Sequence, residues 1–196
     1  MGKEGRVGDR VGEGYVWQQP IQSIINSHAP KQPEAWLRGP VPNIDPYLMP
    51  AAHILLQAED EINAAVAGLT TEQIWSRPGG AASIGFHLRH IAGSTNSLMI
   101  YARGEQLSDE QRAAIALQGE PGMDLPELLS ELHEAFANAM ESYRTTPREI
   151  FLEPRGVGRA MLPSNVFGIL VHAAEHAQRH TGQIVTTAKI VRAGVM

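Results

Sequence analysis

Apolar residues recur at intervals of three and four along four stretches of the chain, which is the spacing of one face of an α-helix. The stretches cover residues 45–67, 83–103, 124–146 and 163–192. In the third, the apolar positions are Leu125, Leu128, Leu129, Leu132, Phe136, Met140 and Tyr143. No segment shows the strong alternation of a β-strand. We therefore predict an all-α fold, a four-helix bundle built from these four long helices.

Caps and breakers delimit the predicted helices. Asp45 followed by Pro46 is a favourable start for the first long helix, and Ser108 with Gln111 forms a capping box for a short extra helix. Another short helical turn is predicted over residues 71–76. Pro163 with Ser164 is expected to open the fourth long helix, whereas the glycines and proline within residues 148–162 prevent a helix throughout that segment.

The segment before the bundle has a different composition. Residues 1–14 hold five glycines without periodicity, and residues 29–46 hold five prolines, which favour extended, irregular backbone. We interpret residues 1–44 as a tail and a long Pro-rich arm, and residues 45–196 as the bundle domain. Trp36 and Leu37 are the side chains expected to anchor the arm.

The composition of the chain excludes several kinds of chemistry and several classes of partner. The 196-residue chain contains no cysteine, which excludes thiol nucleophiles, disulfides and iron–sulfur clusters of its own. Its net charge is −5, without a basic run, so no nucleic-acid partner is expected. It lacks the roughly 18 consecutive apolar residues of a membrane span, and no signal-peptide pattern is present. These features predict a cytoplasmic protein without a membrane partner.

The eight histidines carry the main functional signal. His172, His176 and His180 are four residues apart, so they lie on one face of the fourth helix. Two neighbouring rings can reach one metal ion, but the outer two are about 11–12 Å apart along the axis. One pair is therefore expected to bind, and His87 or His90 of the second helix would complete a three-histidine site in the bundle.

Other metal and hydrolase motifs are absent. No glutamate has a histidine three residues later, as di-iron carboxylate bundles require, and no H-E-x-x-H, G-x-S-x-G or P-loop motif occurs. Three imidazoles suit zinc, nickel, copper or iron, and a three-ligand site with an open position is typical of catalysis.

Two segments, GFHLRHIAG at residues 85–93 and HAAEHAQRHTGQ at residues 172–183, resemble the DinB-like (YfiT-like) metal-binding four-helix bundles. The resemblance covers residues 45–192. It implies that His90, His176 and His180 are the metal ligands.

Three further side chains are predicted to lie near the metal without binding it. His172 as a fourth ligand would close the open position, so we expect it to support the site or to contact substrate. The same role is predicted for His87 and Gln183.

The resemblance also implies a divalent metal, nickel or zinc, and frequent homodimers. Characterised relatives include transferases and isomerases that depend on bacillithiol or mycothiol. We therefore predict a metal-dependent enzyme with a small-molecule substrate, a thiol S-transferase or isomerase. Since the chain has no cysteine, its nucleophilic sulfur would come from a low-molecular-weight thiol. A metal-dependent hydrolase and a non-catalytic, stress-related metal-binding protein are the alternatives.

Overall fold

A computed structural model describes residues 32–194 of the chain. Within this range the helices are α1 (Met49–Val66), α2 (Thr71–Trp75), α3 (Ile84–Ala102), α4 (Asp109–Ala116), α5 (Leu125–Thr145) and α6 (Val166–Arg192). Two short antiparallel strands, β1 (Pro154–Val157) and β2 (Leu162–Asn165), form a hairpin between α5 and α6. The all-α bundle prediction is confirmed, with α1, α3, α5 and α6 as its long helices.

Helix α3 lies between two of the other long helices of the bundle. It packs against α5 and α6, while α6 also packs against α1, and contacts between α1 and α5 close the bundle. The core includes Tyr143, whose hydroxyl donates a 2.9 Å hydrogen bond to the carbonyl oxygen of Leu170. Burial raises the pKa of this phenol. No helix within residues 32–194 is both long and apolar enough to cross a membrane.

The starts of α3, α4 and α5 follow their caps. Ser83 accepts a hydrogen bond from the backbone N–H of Phe86, and Ser108 and Asp124 each begin a complete capping box. The first helix differs from the prediction because it begins at Met49 instead of residue 45. Asp45 lies in a preceding turn, where its carboxylate binds Arg148.

The fourth long helix also begins later than predicted. Residues 162–165 belong to β2, which pairs with β1 from Val157 opposite Leu162 to Pro154 opposite Asn165. The side chain of Asn165 then caps α6 by accepting a 2.7 Å hydrogen bond from the backbone N–H of Gly168. Each strand has only four residues, too few to produce a clear alternation in the sequence.

The described part of the arm contacts α1 through residues other than those expected. Trp36 and Leu37 are 62% and 56% exposed, whereas Ala35 and Ile44 are buried. The backbone N–H of Ala35 donates a 2.8 Å hydrogen bond to Gln57 of α1. The anchoring role predicted for Trp36 and Leu37 is therefore wrong. Residues 1–31 lie outside the described part of the chain, and the domain division at residue 44 stays a prediction.

Candidate metal centre

The packing of α3 against α6 brings three histidines together. His90 of α3 faces His176 and His180 of α6, and one ring nitrogen from each lies within 4.8 Å of the other two. The Nε2 atoms of His90 and His176 are 3.0 Å apart. Because two zinc–nitrogen bonds of about 2.0–2.1 Å can span that separation, one ion can contact both rings. The donor set fits a divalent metal that prefers imidazole.

Gln118 determines the orientation of the His90 ring. Its side-chain oxygen lies 3.0 Å from Nδ1 of His90, and an amide oxygen can only accept. Nδ1 therefore carries the proton, and Nε2 presents its lone pair toward the other histidines. Phe86 stacks on the same ring at a centroid distance of 5.3 Å and an angle of 9°. These two contacts hold the imidazole as a metal ligand needs it.

His87 supports a second ring of the site. Its side chain is only 6% exposed, and its Nδ1 lies 3.0 Å from Nδ1 of His180. Burial, and then the rings of His180 and His90, lower the pKa of His87 to about 4. A neutral His87 can accept the Nδ1 proton of His180. That hydrogen bond leaves Nε2 of His180 as the nitrogen available to a metal.

The two histidines of α6 are also biased toward the neutral form. Burial, followed by the rings of His180 and His90, lowers the pKa of His176 to about 4. Burial also lowers the pKa of His180, while a hydrogen bond with the exposed Gln183 acts less strongly in the opposite direction. Neutral imidazole is the form that binds metal ions, so protons compete weakly for this site at pH 7.

His172 lies at the edge of the centre. Its ring is half-exposed, and its Nδ1 is 3.2 Å from a carboxylate oxygen of Glu175. The centroids of the His172 and His176 rings are 5.6 Å apart, but His172 is not one of the three converging histidines. Arg179 forms an ion pair with the same carboxylate and lowers the pKa of Glu175.

A cavity of about 260 Å³ opens beside the histidines. His90, His172 and His176 contribute to its wall. An ion held by the three converging rings would therefore be accessible to a small molecule from this side, as a catalytic site requires.

The family resemblance implied the three histidines that converge here, and His87, His172 and Gln183 were expected near them. Sequence reasoning missed Gln118 and Phe86. Gln118 is buried in the connection between α4 and α5, 28 residues from His90 in sequence. The residues around Gln118 form no motif, and only the folded contact identifies it.

Proteins build metal sites in the core of helical bundles from side chains on facing helices, as the three histidines are placed here. Residues 54–184 match the family model of the DinB superfamily, and the chain belongs to this superfamily.

The fold has a counterpart among solved structures. A crystal structure of a conserved protein from Enterococcus faecalis superposes with a TM-score of 0.62 at 16% sequence identity. The match covers 74% of this chain and 97% of the other. At this identity it supports the fold alone. No curated protein matches the sequence.

Proposed function

We propose that the protein is a metal-dependent enzyme for a small-molecule substrate, with His90, His176 and His180 holding a divalent ion, nickel or zinc. The convergence of their ring nitrogens within 4.8 Å is the observation that supports this proposal. Gln118 and His87 would hold two of the rings in place. An ion bound there with an open position would act as a Lewis acid and favour the thiolate or hydroxide form of a bound thiol or water.

The reaction proposed is thiol S-transfer or isomerisation. The chain has no cysteine, so the sulfur would come from a low-molecular-weight thiol. The cavity beside His90 and His176 favours an accessible, catalytic centre over the alternative of a non-catalytic metal-binding protein. Hydrolysis by a metal-activated water is the second catalytic candidate, because the same cavity would admit the substrate of a hydrolase. We further propose a cytoplasmic homodimer.

Metal titration of matched histidine variants tests the proposed ligands. His180→Ala leaves two of the three imidazoles and is expected to lose nearly all affinity for nickel and zinc. His172→Ala removes a ring from the same face of α6 but outside the converging group, and should lose at most about 10- to 100-fold. The measurement is calorimetric titration of untagged, metal-free protein, with elemental analysis of the protein as purified.

The two variants also define the contrary result. Metal binding retained in His180→Ala but lost in His172→Ala would assign the helix-α6 pair to His172 and His176 instead, and equal losses would contradict the proposed ligand set. Thermal unfolding followed by circular dichroism separates a lost ligand from a lost fold. His176→Ala serves as a second variant, since both pairings require that ring.

A further inference from the structure

We propose that the group placed beside the metal centre is uncharged and apolar, with the size of one aromatic ring. This inference rests on the proposed metal-dependent function and adds the class of substrate. Its basis is the cavity of about 260 Å³ that opens onto His90 and His176.

The wall of this cavity opposes a charged ligand. Its apolar part consists of Leu98, Tyr101, Leu107 and Ile115. Among the described residues that line it, none is an aspartate, glutamate, lysine or arginine. A charged group placed against these four side chains, away from the ion, would lose hydration without gaining an ionic partner from the wall, and such a loss is costly. An apolar group would instead gain from leaving water.

Charged side chains are nevertheless close by. A second cavity, of about 630 Å³, shares four wall residues with the first: Ser97, Leu107, Ile115 and Gln118. Its remaining wall includes Arg89, Arg103, Glu131, Glu134 and Glu141. These five charged side chains line the second cavity, and none of them lines the apolar chamber at the histidines. Glu175, which contacts His172 of the chamber wall, is already paired with Arg179.

The volume of the cavity is sufficient for one aromatic ring. An apolar cavity of about 150 Å³ is known to hold benzene. The 260 Å³ chamber therefore has room for a six-membered ring with a short substituent. Leu98 lies on α3, between His90 and Tyr101 in sequence. Its side chain supplies part of the surface that such a ring would contact.

Imidazole probes test the preference at the metal. Cobalt-loaded protein is titrated with imidazole, 4-phenylimidazole and 4-(imidazol-4-yl)benzoate, and binding is followed by the visible absorption of cobalt. We expect 4-phenylimidazole to bind about 10- to 50-fold more tightly than imidazole, because its phenyl group is buried. The benzoate has the same shape with one added charge and should lose most of that gain.

Two leucine variants locate the effect. Leu98→Asn should remove most of the advantage of 4-phenylimidazole while leaving the affinities for cobalt and imidazole unchanged. Leu152→Asn, at a position 79% exposed and outside the cavity wall, is the matched control and should behave as wild type. Equal affinities for the three probes, tighter binding of the benzoate, or an unchanged preference in Leu98→Asn would overturn the inference.

A metal-free measurement keeps this inference separate from the proposed function. Failure to bind cobalt would contradict the proposed metal site. The chamber is then examined in metal-free protein by ligand-observed NMR with toluene and benzoate as probes. Saturation transfer to toluene but not to benzoate, reduced in Leu98→Asn and retained in Leu152→Asn, supports an apolar chamber. Equal transfer to both probes would overturn it.

Discussion

The amide of Gln118 determines which nitrogen of His90 faces the other two histidines. Its oxygen is 3.0 Å from Nδ1 of His90 and can only accept a hydrogen bond. Rotation of the ring would expose Nδ1 to the site and break a hydrogen bond of a side chain that is only 6% exposed. Since an unsatisfied buried polar group is costly, this one contact fixes both ring orientation and tautomer.

Replacement of Gln118 should therefore weaken metal binding without removing a ligand. Gln118→Leu is expected to lower the affinity about 10- to 100-fold, the usual effect of an outer hydrogen-bond partner. Gln118→Glu retains an acceptor for Nδ1 and should restore most of the loss. Calorimetric metal titration measures both. Gln106→Leu, at an exposed glutamine, is the control, and a Gln118→Leu affinity equal to wild type would contradict this role.

At the scale of elements, the long amphipathic helices were predictable because each repeats an apolar residue over several turns. Ser83, Ser108 and Asp124 start their helices as their sequence patterns predict. The hairpin could not be recognised because its strands contain four residues each, with Pro163 inside β2. Pairing with β1, between residues that are 5 (157 to 162) to 11 (154 to 165) positions apart, replaces the helix start expected at that proline.

Close packing between elements explains a glycine of α3. A Cβ atom on Gly93 would lie 2.2 Å from Nε2 of Gln118, so the connection after α4 approaches α3 only because this side chain is absent. A helix-interior glycine normally costs about 1 kcal/mol relative to alanine. Here the glycine gives the amide room to reach His90.

Alanine substitution at two helical glycines separates these effects. Gly93→Ala must displace Gln118, so we expect about a tenfold loss of metal affinity and no gain in stability. Gly182→Ala, in α6 with no atom within 4 Å of the added Cβ, should stabilise the protein by up to about 1 kcal/mol. Urea unfolding and metal titration measure the pair. A Gly93→Ala variant that gains stability and keeps its metal affinity would show that the connection moves freely.

At the scale of the whole molecule, the centre depends on contacts between segments far apart in the chain. His87 contacts a ring 93 residues away, and His90 contacts one 86 residues away. Helical spacing identified the histidines of α6 as a group but left the choice between neighbouring pairs open. The packing of α3 on α6 brings His176 and His180 to His90, and such tertiary contacts cannot be obtained from periodicity.

The buried histidines should make the stability of the metal-free protein depend on pH. His87 is 6% exposed, and its pKa falls from an ordinary 6.5 to about 4 in the folded state. Between these values the unfolded chain binds a proton that the folded chain does not, so stability falls as the pH is lowered from 6.5 toward 4. Protonation of His87 should lower the free energy of unfolding by an amount on the order of 3 kcal/mol.

His87→Gln cannot take up this proton, so urea unfolding with a chelator present should show a shallower loss of stability between pH 6.5 and pH 4 than in wild type. Carboxylates titrate alike in both proteins and cancel in the comparison. Parallel curves from pH 7 to pH 4.5 would mean that His87 is protonated as readily in the folded protein as in the unfolded chain.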